Sequence, residues 1–330
     1  MTTMLGTPQM SRRSAVDLGG GVSFAAGHHF TLDPTADLDQ LVADSTGPLS
    51  VILQVTKRCN FDCSFCSETL QLPDPTLGQL ERMRDHLKGV GRVFLSGGEP
   101  LLREDFGDVV DMFADEKFIV AVPTNATKGL AHARRIAGKV AFMNVGLEGP
   151  RATTTRVRGD YDQVMAGVRA LKDAGLPLSL SAVVYRSTLT ALPFTYQIAD
   201  LLEAGKLKLI LPLRKGNALD LDEKEFITEE EAAEAFGRLQ ELRAVHDWTP
   251  ALRMTTWTPH NEGHMICVEP TGAVNAWPVY DAKDLFEPLG NVLKEPITEI
   301  WKRYRFKANH FAKYLGRSIR TTGHTEAVSA

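Results

Sequence analysis

Six short apolar runs recur between residues 49 and 213, and their spacing limits the fold more than any other feature of the chain. They are LSVILQVT (49–56), RVFLS (92–96), KFIVAVPT (117–124), VAFMNVGL (140–147), LSLSAVVY (178–185) and LKLILPL (207–213). Each has the length of a buried strand and falls far short of a membrane span. Amphipathic stretches separate them, such as LGQLERMRDHL, DFGDVVDMFADE, GLAHARRIAG, YDQVMAGVRALKDAG and LTALPFTYQIADLLEAG, and several end on glycine, a helix stop. Near-continuous apolar strands alternating with helices predict an α/β fold, a parallel sheet covered by helices. Periodicity alone does not separate a doubly wound sheet from a barrel.

The flanks differ from this core. Residues 1–48 form an N-terminal extension, Gly-, Ser- and Thr-rich at its start and expected to be partly disordered. His28 and His29 within it have no spaced ligand partner and are expected at the surface. The core is expected to span 49–250 and to close on an acidic-to-amphipathic helix in which Thr228, before three glutamates, is the N-cap. Residues 251–316 change character: CVEPTGAVNAWPVYD predicts two short strands around a Thr-Gly turn, PITEIWKRYR a helix, and 317–330 a flexible tail. A net charge of -4 gives no reason to expect nucleic acid as a partner. No apolar run reaches the roughly eighteen residues of a membrane span, and the N-terminus lacks a continuous signal-peptide apolar region.

Three of the four cysteines stand together in CNFDCSFC, as Cys59, Cys63 and Cys66, directly after the first apolar run. The grouping argues against a disulfide framework and for a reducing, cytoplasmic setting. Thiolates at C-x3-C-x2-C spacing on one loop suit three corners of an iron-sulfur cube, leaving one iron open to a ligand that is not protein. The competing reading is a zinc knuckle, which wants four ligands and a paired second half; no C-x-x-C or H-x3-H partner lies nearby. A second motif, LSGGEPLL (Leu95 to Leu102), follows the second run, and its two glycines allow close backbone approach.

Taken together, in this order and each behind an apolar run, these motifs resemble the radical S-adenosylmethionine (SAM) superfamily. The resemblance implies a partial (β/α)6 TIM-like barrel open on one side, with its chemistry at the strand C-termini. It implies one 4Fe-4S cluster held by Cys59, Cys63 and Cys66, with SAM chelating the open iron. It further implies reductive cleavage of SAM to a 5'-deoxyadenosyl radical that abstracts hydrogen, with a flavodoxin or ferredoxin as reductant. Cofactor contacts implied in the same way are Phe65 beside adenine, Gly97, Gly98 and Glu99 at the methionine amino group, and Thr124 and Asn125 at the third strand end. Ser181 and Arg186 stand where relatives contact ribose and carboxylate, and LPLRKGNA (211–218) resembles the strand edge near adenine. VGLEGP and RVRG resemble segments in which Arg156 or Arg158 meets the SAM carboxylate or the substrate.

The segment around Cys267 resembles a SPASM or twitch extension, which usually carries auxiliary clusters. Trp277 stands where the next cysteine would be, and one cysteine cannot hold a cluster, so the extension is expected to be without metal. Cys267 is then either a buried core thiol or a hydrogen-atom donor lying over the barrel mouth. As a donor it makes the enzyme an epimerase, as lone cysteines do in related aminoglycoside and peptide epimerases. Loss of an electron and a proton instead makes it a dehydrogenase of a sugar or cyclitol hydroxyl, and decarboxylation is a third outcome. An iron-sulfur electron-transfer or regulatory protein is the non-enzyme alternative, and it leaves Gly97–Pro100 without a role. Only about 48 residues precede the first strand, fewer than a leader-peptide-binding domain needs, so the expected substrate is a small polar molecule: an aminoglycoside, sugar nucleotide or nucleoside. Glu148, Arg151, Arg214, Lys215, His260 and His264 are candidates for its polar contacts by position.

Overall fold

A computed structural model describes residues 22–24, 30–32, 36–116, 118–256, 262–278 and 287–315. Its strands are β1 (Val22–Phe24), β2 (Phe30–Leu32), β3 (Ser50–Thr56), β4 (Arg92–Gly97), β5 (Ile119–Thr124), β6 (Phe142–Gly146), β7 (Leu178–Val183), β8 (Lys206–Ile210), β9 (Ala251–Thr255), β10 (Met265–Val268), β11 (Ala273–Trp277) and β12 (Gly290–Asn291). Helices follow the strands as expected: α1 (Leu38–Asp44), α2 (Leu77–His86), α3 (Phe106–Asp115), α4 (Gly129–Ile136), α5 (Arg151–Val157), α6 (Tyr161–Asp173), α7 (Leu192–Leu201), α8 (Glu229–His246), α9 (Ile297–Lys302) and α10 (Lys307–Leu315).

β3 to β9 pair in chain order, each parallel to the last. Parallel strands need a crossover between them, which the helices supply, and burial on both faces explains the near-continuous apolar runs. Alternate residues divide the two faces. Val51, Leu53, Val55, Val93, Leu95, Val120 and Val122 join the core beneath the helices. Ser96, Pro123, Asn144, Gly146 and Ser181, from the other face of β4 to β7, line a single cavity. The sheet is thus curved into the partial barrel expected, with β9 at one end of its order.

The expected boundary at residue 251 is not a break in the sheet. β9 extends the parallel series beyond the six expected strands, pairing Lys208 with Arg253. On the opposite side β10 pairs parallel with β3, Cys267 beside Ile52, and continues through the antiparallel β11 and β12. The Thr-Gly turn between β10 and β11 is as expected, with Gly272 at φ +80°. Short, isolated runs such as ALRMT carry too little periodicity to be separated from a loop by sequence alone.

The far end of β3 is closed by the C-terminal helices. His310 on α10 accepts a hydrogen bond from the Leu49 amide at 2.9 Å through Nε2, and its Nδ1 lies 3.0 Å from the His264 carbonyl. The Tyr314 hydroxyl meets Ser50, and Trp301 on α9 is buried and stacked on Tyr304 at 5.2 Å. This leaves the strand C-termini as the accessible end. Thr228 caps α8 as expected, bonding reciprocally with Glu231. Among the described residues no helix is long and apolar enough to cross a membrane. His28, His29, His260 and the 317–330 tail lie outside the described residues.

Candidate active site

A cavity of 770 Å³ opens at the C-terminal ends of the barrel strands. Its wall includes Cys59, Cys63 and Cys66, together with Phe65, Gly97, Gly98, Thr124, Asn125 and Ser181, so nine of the residues expected from sequence meet there. The cysteine loop is held from both sides. The Ser64 amide donates to Val157 at 3.3 Å, and the Asn217 side chain donates to Asp62 at 2.8 Å and to the Cys63 carbonyl at 3.0 Å. Gly216 has φ +60°, and a Cβ there would stand 2.4 Å from the Cys66 carbonyl, which is why a Gly-Asn pair clamps this loop.

The paired glycines act first on the chain itself. A Cβ on Gly97 would sit 1.8 Å from the Thr56 carbonyl and one on Gly98 2.4 Å from that of Arg58. The Gly98 and Glu99 amides donate to those same carbonyls at 3.0 and 2.8 Å, which lays the end of β4 against the start of the cysteine loop.

Glu99 takes a different position from the one expected. Its carboxylate is buried and accepts from the Leu101 amide at 2.9 Å, Thr124 Oγ1 at 2.7 Å and the Asn125 amide at 2.5 Å. It ties the ends of β4 and β5 together and does not line the cavity. Burial pushes its carboxyl up to about 7 against the pull of those three donors. Arg186 is likewise displaced: it is exposed beyond β7, donating to the Lys224 carbonyl and pairing with Glu231 at the start of α8. Three residues past the strand end, the chain has already turned outward into the 3₁₀ turn Arg186–Ala191.

Of the arginines expected near the cofactor, the one that lines the cavity is Arg158. Its guanidinium makes two hydrogen bonds to Glu148, at 2.7 and 2.6 Å, and lies 4.9 Å from the Phe65 ring centre. Gly146 makes room for it, since a Cβ there would fall 2.3 Å from the guanidinium carbon. Glu148 is therefore engaged by Arg158, while Arg156 is exposed and reaches only the Ser187 carbonyl. Arg151 and Arg214 pair outward with Asp162 and Glu223. Lys215 lies 4.0 Å from Glu68, and His264 is buried beside Trp277. Lys57, Glu68 and Asn144 also line the wall without any motif in the sequence to mark them, and Asn217 joins them from the LPLRKGNA segment singled out above.

Cys267 does not lie over the mouth. It is a strand residue of β10, in register with Ile52 and therefore on the inward face, buried, with Glu68 and Lys57 as its main charged neighbours. Burial and the Glu68 charge raise its pKa, which keeps the thiol protonated.

The donor set fits an iron-sulfur cluster. Burial raises all three loop thiols, Cys63 to about 12, and Arg158 lowers each. Iron would convert them to thiolates outright. Among the described residues no three His, Cys, Asp or Glu side chains converge enough to hold one metal ion. Three loop thiolates fall one short of the four ligands that structural zinc takes, whereas a cube takes each thiolate at a separate corner. The same cavity suits a polar cofactor: Asn144 Oδ1 is buried in its wall with no hydrogen-bond partner among the described residues.

Residues 53–190 match the family model of the Radical SAM superfamily. Pre-heme d1 synthase of Dinoroseobacter shibae is 30% identical over 185 residues, covering 49% of this chain and 45% of its own. A probable GTP 3',8-cyclase of Halobacterium salinarum is 28% identical over 267 residues, covering 73% and 72%. The chain spans about half the length of several curated relatives it matches. Among solved structures, Streptococcus suis SuiB bound to its precursor peptide SuiA superposes with a TM-score of 0.68 at 11% identity, covering 84% of this chain and 69% of SuiB. That likeness shows the fold; SuiB has also been solved bound to S-adenosylmethionine.

Proposed function

We propose, from the premise that residues 53–190 place this chain in the radical SAM superfamily, that it abstracts hydrogen from a small polar substrate and epimerises a carbon, with Cys267 returning the hydrogen. The family uses a 4Fe-4S cluster and S-adenosylmethionine, which together supply the electron and the 5'-deoxyadenosyl radical when bound. Cys59, Cys63 and Cys66 would hold the cluster. Gly97, Gly98, Thr124, Asn125, Asn144 and Ser181 line the cavity and would face the cofactor, and Phe65 with Arg158 walls its other side.

The observation that carries the finer reading is the buried, inward-facing thiol of Cys267 on the strand next to β3, whose pKa burial raises. A hydrogen-atom donor has to keep its S–H bond, and burial keeps it. As the S–H bond breaks, a C–H bond forms at the substrate radical and a thiyl radical remains. One electron from a flavodoxin- or ferredoxin-type reductant and one proton restore the thiol.

The test is turnover of amino sugars, sugar nucleotides and nucleosides with SAM in deuterated water, read by mass spectrometry. The expected product is an isomer of the substrate carrying one deuterium, and Cys267→Ala abolishes its formation. A product lighter by two hydrogens, formed equally by the variant, would make the enzyme a dehydrogenase and return Cys267 to a packing role.

A further inference from the structure

We propose that Lys208 on β8 and Arg253 on β9 form an anion site on the barrel lumen, which takes a carboxylate or phosphate group of the substrate. The inference deepens the reading of the barrel as a substrate-binding radical enzyme and rests on it.

In a parallel ladder, residues in register point to the same face. Ser181 lines the cavity, Lys208 is its register partner on β8, and Arg253 is the register partner of Lys208 on β9. The two cations are therefore neighbours on the lumen face, one strand beyond the cavity wall, at the edge where the sheet order ends.

The inward residues of the described barrel strands are unbalanced in charge. Arg92, Lys206, Lys208 and Arg253 lie on this face, and no strand residue on it is an aspartate or glutamate. The loop and strand-end carboxylates nearby are already engaged. Glu68 accepts from Lys57 and Gln54, Glu148 from Arg158, and Glu99 from Thr124 and two amides. Arg92 stacks over Phe94 at 4.7 Å and Lys206 over Phe142 at 4.6 Å. Arg253 donates one hydrogen bond, from Nη1 to the Leu252 carbonyl at 2.9 Å.

Lys208 has no acceptor, carboxylate or ring partner among the described residues. Burial, and then the charge of Arg92, push its pKa down to about 8. A half-buried ammonium without a counter-ion is costly, and an arriving anion offsets that cost. An extra cationic substrate would meet repulsion on this face. The site therefore favours a phosphorylated or carboxylated small molecule over a free polyamine sugar.

The experiment uses the anaerobically reconstituted protein and titrates inorganic phosphate and acetate by calorimetry, against Lys208→Gln, Lys208→Arg and, as an outer-surface control, Lys302→Gln. A charge-assisted hydrogen bond lost from a partly buried site weakens binding about tenfold or more. The expected result is that loss in Lys208→Gln, with binding kept within about threefold in Lys208→Arg and unchanged in Lys302→Gln. The anion bound more tightly by the wild type identifies the group as phosphate or carboxylate. Equal binding by wild type and Lys208→Gln, or no binding of either anion to the wild type, overturns the proposal. Failure of the radical reading would show separately, as absence of 5'-deoxyadenosine from the wild type, whatever the anion affinities.

Discussion

Replacing Cys66 with alanine is expected to strip the anaerobically reconstituted protein of iron, from about four atoms per chain to less than one. The same result is expected for Cys59 and Cys63. Each thiolate holds one corner, and the wall offers no substitute: the fourth cysteine, Cys267, belongs to a strand on the other side of β3. Cys267→Ala is accordingly expected to keep its iron. Iron analysis of the four variants side by side decides the matter. Full iron in any of the three loop variants would contradict the ligand assignment, and clearly more than about four irons in the wild type would contradict a single cluster.

Arg158→Ala is expected to produce the largest loss of stability of any single change at the site. The Glu148 side chain is 0% exposed and Arg158 only 13%, so the bidentate pair is well shielded from water. Removing one partner of such a pair leaves an uncompensated buried charge, which typically costs about 3–5 kcal/mol. The guanidinium also packs over Phe65, so its loss loosens the cysteine loop as well as the carboxylate. Arg158→Lys is expected to recover little, because a compact ammonium lacks the planar fork that matches the Glu148 carboxylate and the flat face that packs over Phe65. Adding Glu148→Gln to Arg158→Ala should restore about half or more of the loss by removing the orphaned charge. Denaturant midpoints of the three variants provide the measurement. A loss below about 1 kcal/mol in Arg158→Ala would show that water reaches Glu148 and that the pair is not structural.

The cysteine loop and the barrel were legible because local sequence determines both. C-x3-C-x2-C and GGEP act within a few residues of each other's strands, and apolar runs such as 92–96 and 178–185 correspond to β4 and β7 with shifts of one or two residues. What escaped depends on long-range contacts. Nothing local distinguishes Arg158 from Arg156, yet one reaches a buried carboxylate through the space Gly146 leaves and the other is exposed. Arg186 follows a strand as a ligand-contacting residue would, but the 3₁₀ turn and the acidic start of α8 draw it outward. Glu99 lies in the motif expected from sequence, though its carboxylate bonds to the chain rather than facing the cavity. Parallel pairing of β10 with β3 joins residues more than two hundred positions apart, so the inward setting of Cys267 could not be read from the residues around it.

The reading of this chain as a SAM-cleaving enzyme, rather than an electron carrier, rests on the open iron that a three-cysteine loop leaves. The most direct measurement is incubation of the reconstituted wild-type protein with S-adenosylmethionine and dithionite under anaerobic conditions, quantifying 5'-deoxyadenosine and methionine. The expected result is formation of both in equal amounts, absent in Cys66→Ala. A protein that holds about four irons yet yields neither product would contradict the account and leave the cluster an electron-transfer or regulatory centre.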